Sequence, residues 1–258
     1  MIFKITVMFV ILTSSLSAMA NVQCIAHRGF SSAYLENSME SVLAAIEIGS
    51  HGVEFDIQHT KDGLPVLFHD DSLKRVVESK EGKECHLKKG ISDYSFADLR
   101  EHCQLKNGED IPLLEEVLER SSDVESFFFV ELKDRPRVNT LELLEQFFYY
   151  RMNSLRIISF KKDYLEAVDA YAVVRPFWKE IKMLRIYRFL PSLFDDYGVN
   201  IYHKTRYMSR IPYRRGKEVS VWTVNKRKDL KKIIDRKKVH FVTTDRPDIC
   251  LDLSEKTY

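Results

Sequence analysis

Residues 52–71 read GVEFDIQHTKDGLPVLFHDD. From Val53 to Gln58, apolar and polar side chains alternate with period two, which predicts a strand. Glu54, Asp56 and Gln58 fall on one face of it, and Val53, Phe55 and Ile57 on the other. Lys61-Asp62-Gly63 is turn chemistry. A second short strand over residues 65–68 then delivers His69-Asp70-Asp71. Carboxylates at i and i+2 converge on one point, and such hard oxygen ligands suit Mg²⁺ or Ca²⁺ better than Zn²⁺. A solvated strand face is the plain alternative. The histidine on the next strand, and what lies upstream, count against it.

Upstream, residues 22–26 form a short apolar run that ends in His27-Arg28-Gly29. A lone histidine is more often structural than catalytic. Two histidines at strand ends, flanking paired carboxylates and joined by Arg28, are what phosphodiester hydrolysis needs. A metal and an arginine offset phosphate charge, and two imidazoles pass protons to and from oxygen.

Strands alternate with helices from there on, which argues for a parallel sheet. Helices are expected over residues 37–48, from 111 onward, and over 140–152, 163–171 and 227–237. The first is read as capped by Asn37 with Glu40 at its third position. Pro112 is placed at the first position of the second. Strands are expected over residues 127–132, 155–160, 177–184, 199–203, 219–225 and 240–244. Residues 72–110 read as an irregular excursion with a short helix around Asp98-Leu99-Arg100. With 258 residues, 45% of them hydrophobic, the chain suits an α/β fold as one somewhat irregular (β/α)₈ TIM barrel. Nine strand-like runs are one too many, so either 65–68 or 177–184 lies outside the barrel. His27, Glu54, Asp56, Glu131, Lys133, Trp222 and Asp245 sit at or near strand ends, where barrels carry function.

A formal charge of +2 gives no reason to expect nucleic acid as a partner. Residues 1–20 read as a signal peptide, with Lys4, an apolar run and Ala18-Met19-Ala20 before the cut. That leaves 21–258 as the barrel domain and implies export to the periplasm or the medium. Export makes the four cysteines candidates for disulfides. Cys85 and Cys103, in one excursion, are the expected pair, while Cys24 and Cys250 are read as buried thiols. Oligomeric state is not set by the sequence.

Seven stretches in order carry a resemblance. They are Ala26-His27-Arg28-Gly29, Leu35-Glu36-Asn37-Ser38, Val53 through Asp70, Ile111 through Leu118, Val130-Glu131-Leu132-Lys133, Trp222-Thr223-Val224-Asn225 and Thr243 through Pro247. Together they resemble the glycerophosphodiester phosphodiesterases along nearly the whole mature chain. The resemblance implies a metal-dependent hydrolase that splits a small-molecule glycerophosphodiester into sn-glycerol 3-phosphate and an alcohol. Carried over by motif, Glu54, Asp56 and Glu131 hold one divalent cation, Ca²⁺ or Mg²⁺. Arg28 and Lys133 bind phosphate, His27 and His69 are the acid/base pair, Glu36 orients the site, and Trp222 walls the glycerol. Either a histidine activates the glycerol 2-hydroxyl to give a cyclic phosphate, or metal-activated water attacks directly.

The chain departs from the family pattern at two motifs. Leu35 replaces a proline, and Val76-Val77-Glu78-Ser79 replaces a threonine-rich run that bears on leaving-group recognition. Residues 175–215 match least, and residues 175–217 hold many basic and aromatic side chains; transient contact with an anionic membrane surface is one reading, solvated helix faces the other. Two rival functions stand beside the first. One is a lysophospholipase D cutting the same bond under an acyl chain; the other is an exported binding protein on a catalytically dead barrel.

Overall fold

Eight extended runs pair edge to edge, all parallel, and close into a ring. The computed structural model of the chain describes residues 21–192 and 196–255; the leader expected over residues 1–20 lies outside them. Eleven strands form among the described residues. They are β1 (Gln23–His27), β2 (Gly52–His59), β3 (Pro65–Leu67), β4 (Val77–Ser79), β5 (Cys103–Leu105), β6 (Phe127–Leu132), β7 (Leu155–Ser159), β8 (Lys182–Tyr187), β9 (Gly198–Tyr202), β10 (Val219–Trp222) and β11 (Phe241–Thr244). The barrel runs β1-β2-β6-β7-β8-β9-β10-β11, and β11 pairs with β1 again. Helices such as Met39–Glu47, Val138–Phe148, Lys162–Ala172 and Arg227–Arg236 lie between strands. This is the expected (β/α)₈ TIM barrel.

Alternation sorts the side chains as the sequence implies. Val53, Phe55 and Ile57 of β2 join Phe128, Val130 and Leu132 of β6 in the layer between barrel and helices. Ile25, Phe129, Ile158, Leu184, Ile186 and Phe241 fill the inside. At the N-terminal end the interior holds a buried ion pair, with Arg156 Nε and Nη2 donating to Glu218 at 2.6 and 2.9 Å. The Arg156 guanidinium also faces the Phe127 and Phe241 rings at 5.2 and 5.7 Å. Such a forked pair with its arginine buried needs both partners, since either charge alone would be costly. One end of the barrel is thereby closed, and the other is left for chemistry.

Of the two runs that were candidates for the extra strand, 65–68 is the one: β3 runs antiparallel to β2 outside the barrel. Three expectations need correction. Residues 177–184 are not one strand: Phe177–Glu180 is a helical turn with Phe177 and Trp178 buried, and the strand starts at Lys182. The helix expected from Ile111 starts at Leu114. Residues 111–113 pair with β3 instead, for Leu67 N donates to Pro112 O at 2.9 Å and Leu113 bridges to Val66. Asn37 is not the cap of the first helix; Ser38 is, accepting from Ser41 N at 3.0 Å.

The excursion between His69 and Leu114 is more ordered than expected. β4 and β5 form a ribbon over a small core of Leu73, Val77, Ile91, Tyr94 and Leu99, pinned by the Cys85–Cys103 disulfide. Val76 and Val77, at the altered threonine run, pack into that core. Cys24 and Cys250 are also bonded, which corrects the reading of them as thiols. The terminal helix Pro247–Glu255 packs on β1, so residues 226 apart come to a Cα separation of 5.9 Å, within reach of a disulfide. That bond ties the last helix to the first strand. Cys24→Ala/Cys250→Ala should lower stability by about 2–4 kcal/mol, or roughly 5–10 °C in Tm. A melt of the double variant unchanged from wild type under oxidising conditions would refute the assignment.

Candidate active site

Strand register assembles the site. His27 at the end of β1 lies beside Glu54 of β2, and Asp56 of β2 lies beside Glu131 of β6. Directly after β1 the chain turns through Arg28 and Gly29, both at positive φ of 54° and 79°. A side chain at Gly29 would strike the Ser41 backbone at 2.5 Å, so only glycine allows this close turn. The turn aims the Arg28 backbone N–H at Glu54 Oε2, 2.9 Å away. It also carries the Arg28 side chain to Glu36 Oε1 at 2.7 Å and to within 3.1 Å of Asp56 Oδ2. Asn37, likewise at positive φ (54°), faces inward rather than capping. Its amide donates to Asp56 Oδ2 at 2.9 Å and accepts from Asp56 N at 3.2 Å.

Oxygens of Glu54, Asp56 and Glu131 all lie within 4.8 Å of one another, and the three residues are buried. Burial, then the Asp56 and Glu131 charges, push the Glu54 carboxyl well above the ordinary range. Glu131 is pushed up to about 7, by burial first and the Asp56 charge next. Lys133 answers part of this charge, with Nζ 3.2 Å from Glu131 and 3.9 Å from Asp56 Oδ1. Asp56 Oδ1 is buried without a hydrogen-bond partner among the described residues. A buried acceptor left open between two other carboxylates fits a hard divalent cation, which oxygen donors alone would hold.

Each candidate histidine has one ring nitrogen tied to a carboxylate. His27 Nδ1 lies 2.6 Å from Asp245 Oδ1, and Asn225 Nδ2 donates to Asp245 Oδ2 at 2.5 Å. Burial works against the Asp245 charge, but the hydrogen bond with His27 keeps its pKa below the usual value. His69 Nδ1 lies 2.7 Å from Asp70 Oδ1. Burial lowers the His69 pKa, which keeps the ring neutral near pH 7. Arg75 binds both sides of this group: it donates to Asp70 at 2.6 and 2.9 Å and to Glu36 at 2.6 and 2.7 Å. Those bonds hold Asp70 down at about 2. The result is one continuous chain, Arg28–Glu36–Arg75–Asp70–His69.

A cavity of about 400 Å³ opens among these groups, lined by His27, Arg28, Glu54, His69, Glu131 and Lys133. Its far wall is Trp222 with Phe160, ring centroids 5.4 Å apart, and Trp222 Nε1 donates to Asn200 O at 3.2 Å. All the expected site residues are thus brought together, with Asp56 just beneath the cavity and Glu36 behind Arg28. Several partners were not singled out from sequence: Asn37, Asp70, Arg75, Arg188, Asn200 and Asn225. Adjacency to His69 could have flagged Asp70. Arg188, whose guanidinium lies 5.5 Å from the Phe160 ring centroid, stood only as one cation among many. Asn200 and Thr243 line the cavity, and Asn200 Oδ1 and Thr243 Oγ1 are buried without hydrogen-bond partners among the described residues.

Several known proteins are similar to this chain in sequence and in fold. A glycerophosphodiester phosphodiesterase from Caldanaerobacter subterraneus is 26% identical over 261 residues, covering 90% of this chain and 97% of that protein. One from Bacillus altitudinis is 35% identical over 116 residues, a match that spans 44% of its length. Among solved structures, a glycerophosphodiester phosphodiesterase from Parabacteroides distasonis superposes with TM-score 0.73 at 25% identity, covering 92% and 98% of the two chains. An Oleispira antarctica phosphodiesterase, solved in complex with the product sn-glycerol-3-phosphate, superposes with TM-score 0.71 at 25% identity over 91% and 97%. The profile of the glycerophosphoryl diester phosphodiesterase family matches residues 27–249, and the chain belongs to that family.

Proposed function

We propose that the chain hydrolyses glycerophosphodiesters to sn-glycerol 3-phosphate and an alcohol, with one divalent cation, Ca²⁺ or Mg²⁺, on Glu54, Asp56 and Glu131. The observation that carries this reading is the open Asp56 Oδ1 in a buried carboxylate cluster between two carboxylate-held histidines. Such a cation would supply positive charge against the substrate phosphate. Arg28 and Lys133, both lining the cavity, would bind the phosphate oxygens. Asn200 and Thr243 have unspent polar atoms for the glycerol hydroxyls, and Trp222 gives the carbon chain an apolar wall.

With Nδ1 of each ring held by a carboxylate, Nε2 is the atom left to exchange protons. His69, kept neutral by burial, takes the proton of the glycerol 2-hydroxyl. The alkoxide attacks phosphorus as the bond to the leaving alcohol breaks, and protonated His27 gives that oxygen its proton. Water then opens the cyclic phosphate with the two roles exchanged. Glycerol 3-phosphate release should be measured across a panel of glycerophosphodiesters, with EDTA and metal add-back. No release from any member would overturn the reading, and turnover of a diester lacking the 2-hydroxyl would move the attack to water.

A second reading, lysophospholipase D, draws on Phe189 and Leu190. They follow the lining residue Arg188 and are 79% and 73% exposed, an apolar surface suited to an acyl chain. Lysophosphatidylcholine in the same panel separates the two by the ratio of kcat/KM values.

Arg75 would act as a positioning residue through Asp70 and Glu36. Arg75→Met should lower kcat about tenfold or more and shift the pH profile, because Asp70 would then act on His69 alone. Arg75→Lys should not restore it, since one ammonium cannot make both forked contacts. Unchanged kcat and pH profile in Arg75→Met would remove it from the machinery. Export is proposed as well, supported by two disulfides that suit an oxidising compartment. Sequencing of the secreted protein should find Asn21 first; an intact Met1 on cytoplasmic protein would refute it.

A further inference from the structure

A second cavity, of about 580 Å³, lies on the flank of the barrel and shares no lining residue with the first. One wall is the segment after β9, with Lys204, Arg206 and Arg210; the other is the helix Arg227–Arg236 and its end, with Lys232, Arg236 and Lys238. Among the described residues, none that lines it is Asp or Glu. Arg206 reaches Asp229 at 3.8 Å, whereas Arg210, Lys232, Arg236 and Lys238 have no ion pair among the described residues. On the same helix two cations outside the cavity are paired, Arg227 with Asp252 at 2.6 Å and Lys231 with Asp235 at 3.0 Å. Asp229 is thus the one carboxylate of this helix that reaches a cation of the cavity among the described residues, and it answers only one of the six.

Scattered surface lysines avoid one another in water at little cost. Here six cations from two separate segments converge on one concavity, where their mutual repulsion is less screened than on an open surface. We propose that this cavity is a binding site for a phosphate-bearing anion, separate from the active site and independent of the reading given for it. Guanidinium forks match phosphate oxygens in pairs, and the concavity holds more than one small ion. The phosphate could come from a soluble ligand or from an anionic lipid headgroup. Tyr207 lines the cavity and Ile211 lies one residue beyond Arg210; they are 67% and 49% exposed, as an approach to a lipid surface would use.

The test uses two probes on the full mature chain. Tripolyphosphate binding is measured by calorimetry without added divalent ions. Co-sedimentation is measured with phosphatidylglycerol/phosphatidylcholine vesicles against phosphatidylcholine alone. Lys232→Glu/Arg236→Glu should weaken binding of a responding probe by about tenfold at 0.1 M salt. Lys228→Glu/Lys231→Glu, with the same charge change on the same helix but outside the cavity, should weaken it less than twofold. Lys232→Ala/Arg236→Ala serves as a milder variant if the reversal disturbs folding, and turnover of a soluble diester should be unchanged in all three. A cavity-specific loss for tripolyphosphate alone identifies a soluble phosphate, and one for vesicles identifies a headgroup. If neither probe binds, or if both charge-reversal pairs weaken binding equally, the site does not exist.

Discussion

His27→Ala and His69→Ala are each expected to lower turnover of a glycerophosphodiester by about 10²–10⁴-fold, the usual contribution of positioned proton transfer. Both residues line the cavity and are only partly buried, so truncation opens space to water rather than leaving a void in the core. The fold and its melting temperature should therefore stay near wild type. The two imidazoles serve one step, so the double variant should be little slower than either single one. Asp245→Asn offers an independent check on His27. The amide keeps the shape but not the charge, so kcat should fall while substrate affinity holds. Near-wild-type turnover in either alanine variant, with metal content unchanged, would show that the rings do not move the protons.

The side of the barrel that carries chemistry was readable from period-two alternation alone. Glu54 and Asp56 against Val53, Phe55 and Ile57 could only face opposite ways, whereas Phe127 to Leu132, apolar but for Glu131, shows no such alternation, and its inward side follows from pairing with β2. What alternation cannot supply is register between distant strands. That His27 meets Glu54, and Asp56 meets Glu131, follows from barrel closure. Asn37 was misread because a left-handed residue before a helix looks the same in sequence as a cap. Its inward amide depends on the turn at Arg28–Gly29, which is fixed by close approach to Ser41. Arg75 is 39 residues from Glu36 and belongs to the excursion, where no periodicity speaks. Cys24 and Cys250 read as buried thiols because they lie in the first and last segments of the barrel, far apart in sequence. Only the docking of the last helix on β1 brings them together.

Removing divalent ions should abolish turnover and give the protein an unusual dependence of stability on pH. In the metal-free state the Glu131 carboxyl titrates at about 7, held up by burial and by the Asp56 charge. In the unfolded chain it titrates near the ordinary value of about 4.5. Between those values the folded state binds more protons than the unfolded one, so stability is full below the lower value and falls as pH rises through the upper. The loss is of order 3 kcal/mol, or roughly 10 °C in Tm, less whatever Lys133 returns by pairing with the ionised group. Glu54, pushed in the same direction, adds to the slope. A cation on the three carboxylates should cancel their repulsion and stabilise the fold by linkage, so with Ca²⁺ or Mg²⁺ the fall between pH 5 and 7.5 should vanish. Glu54→Gln separates charge from shape. It should lose turnover and the cation-induced rise in Tm, yet the metal-free variant should melt above the metal-free parent at pH 7.5, one like charge having gone. Full activity in EDTA, with a Tm indifferent to both ions and a flat pH profile, would leave the cluster as three buried acids that Lys133 and Arg28 already satisfy.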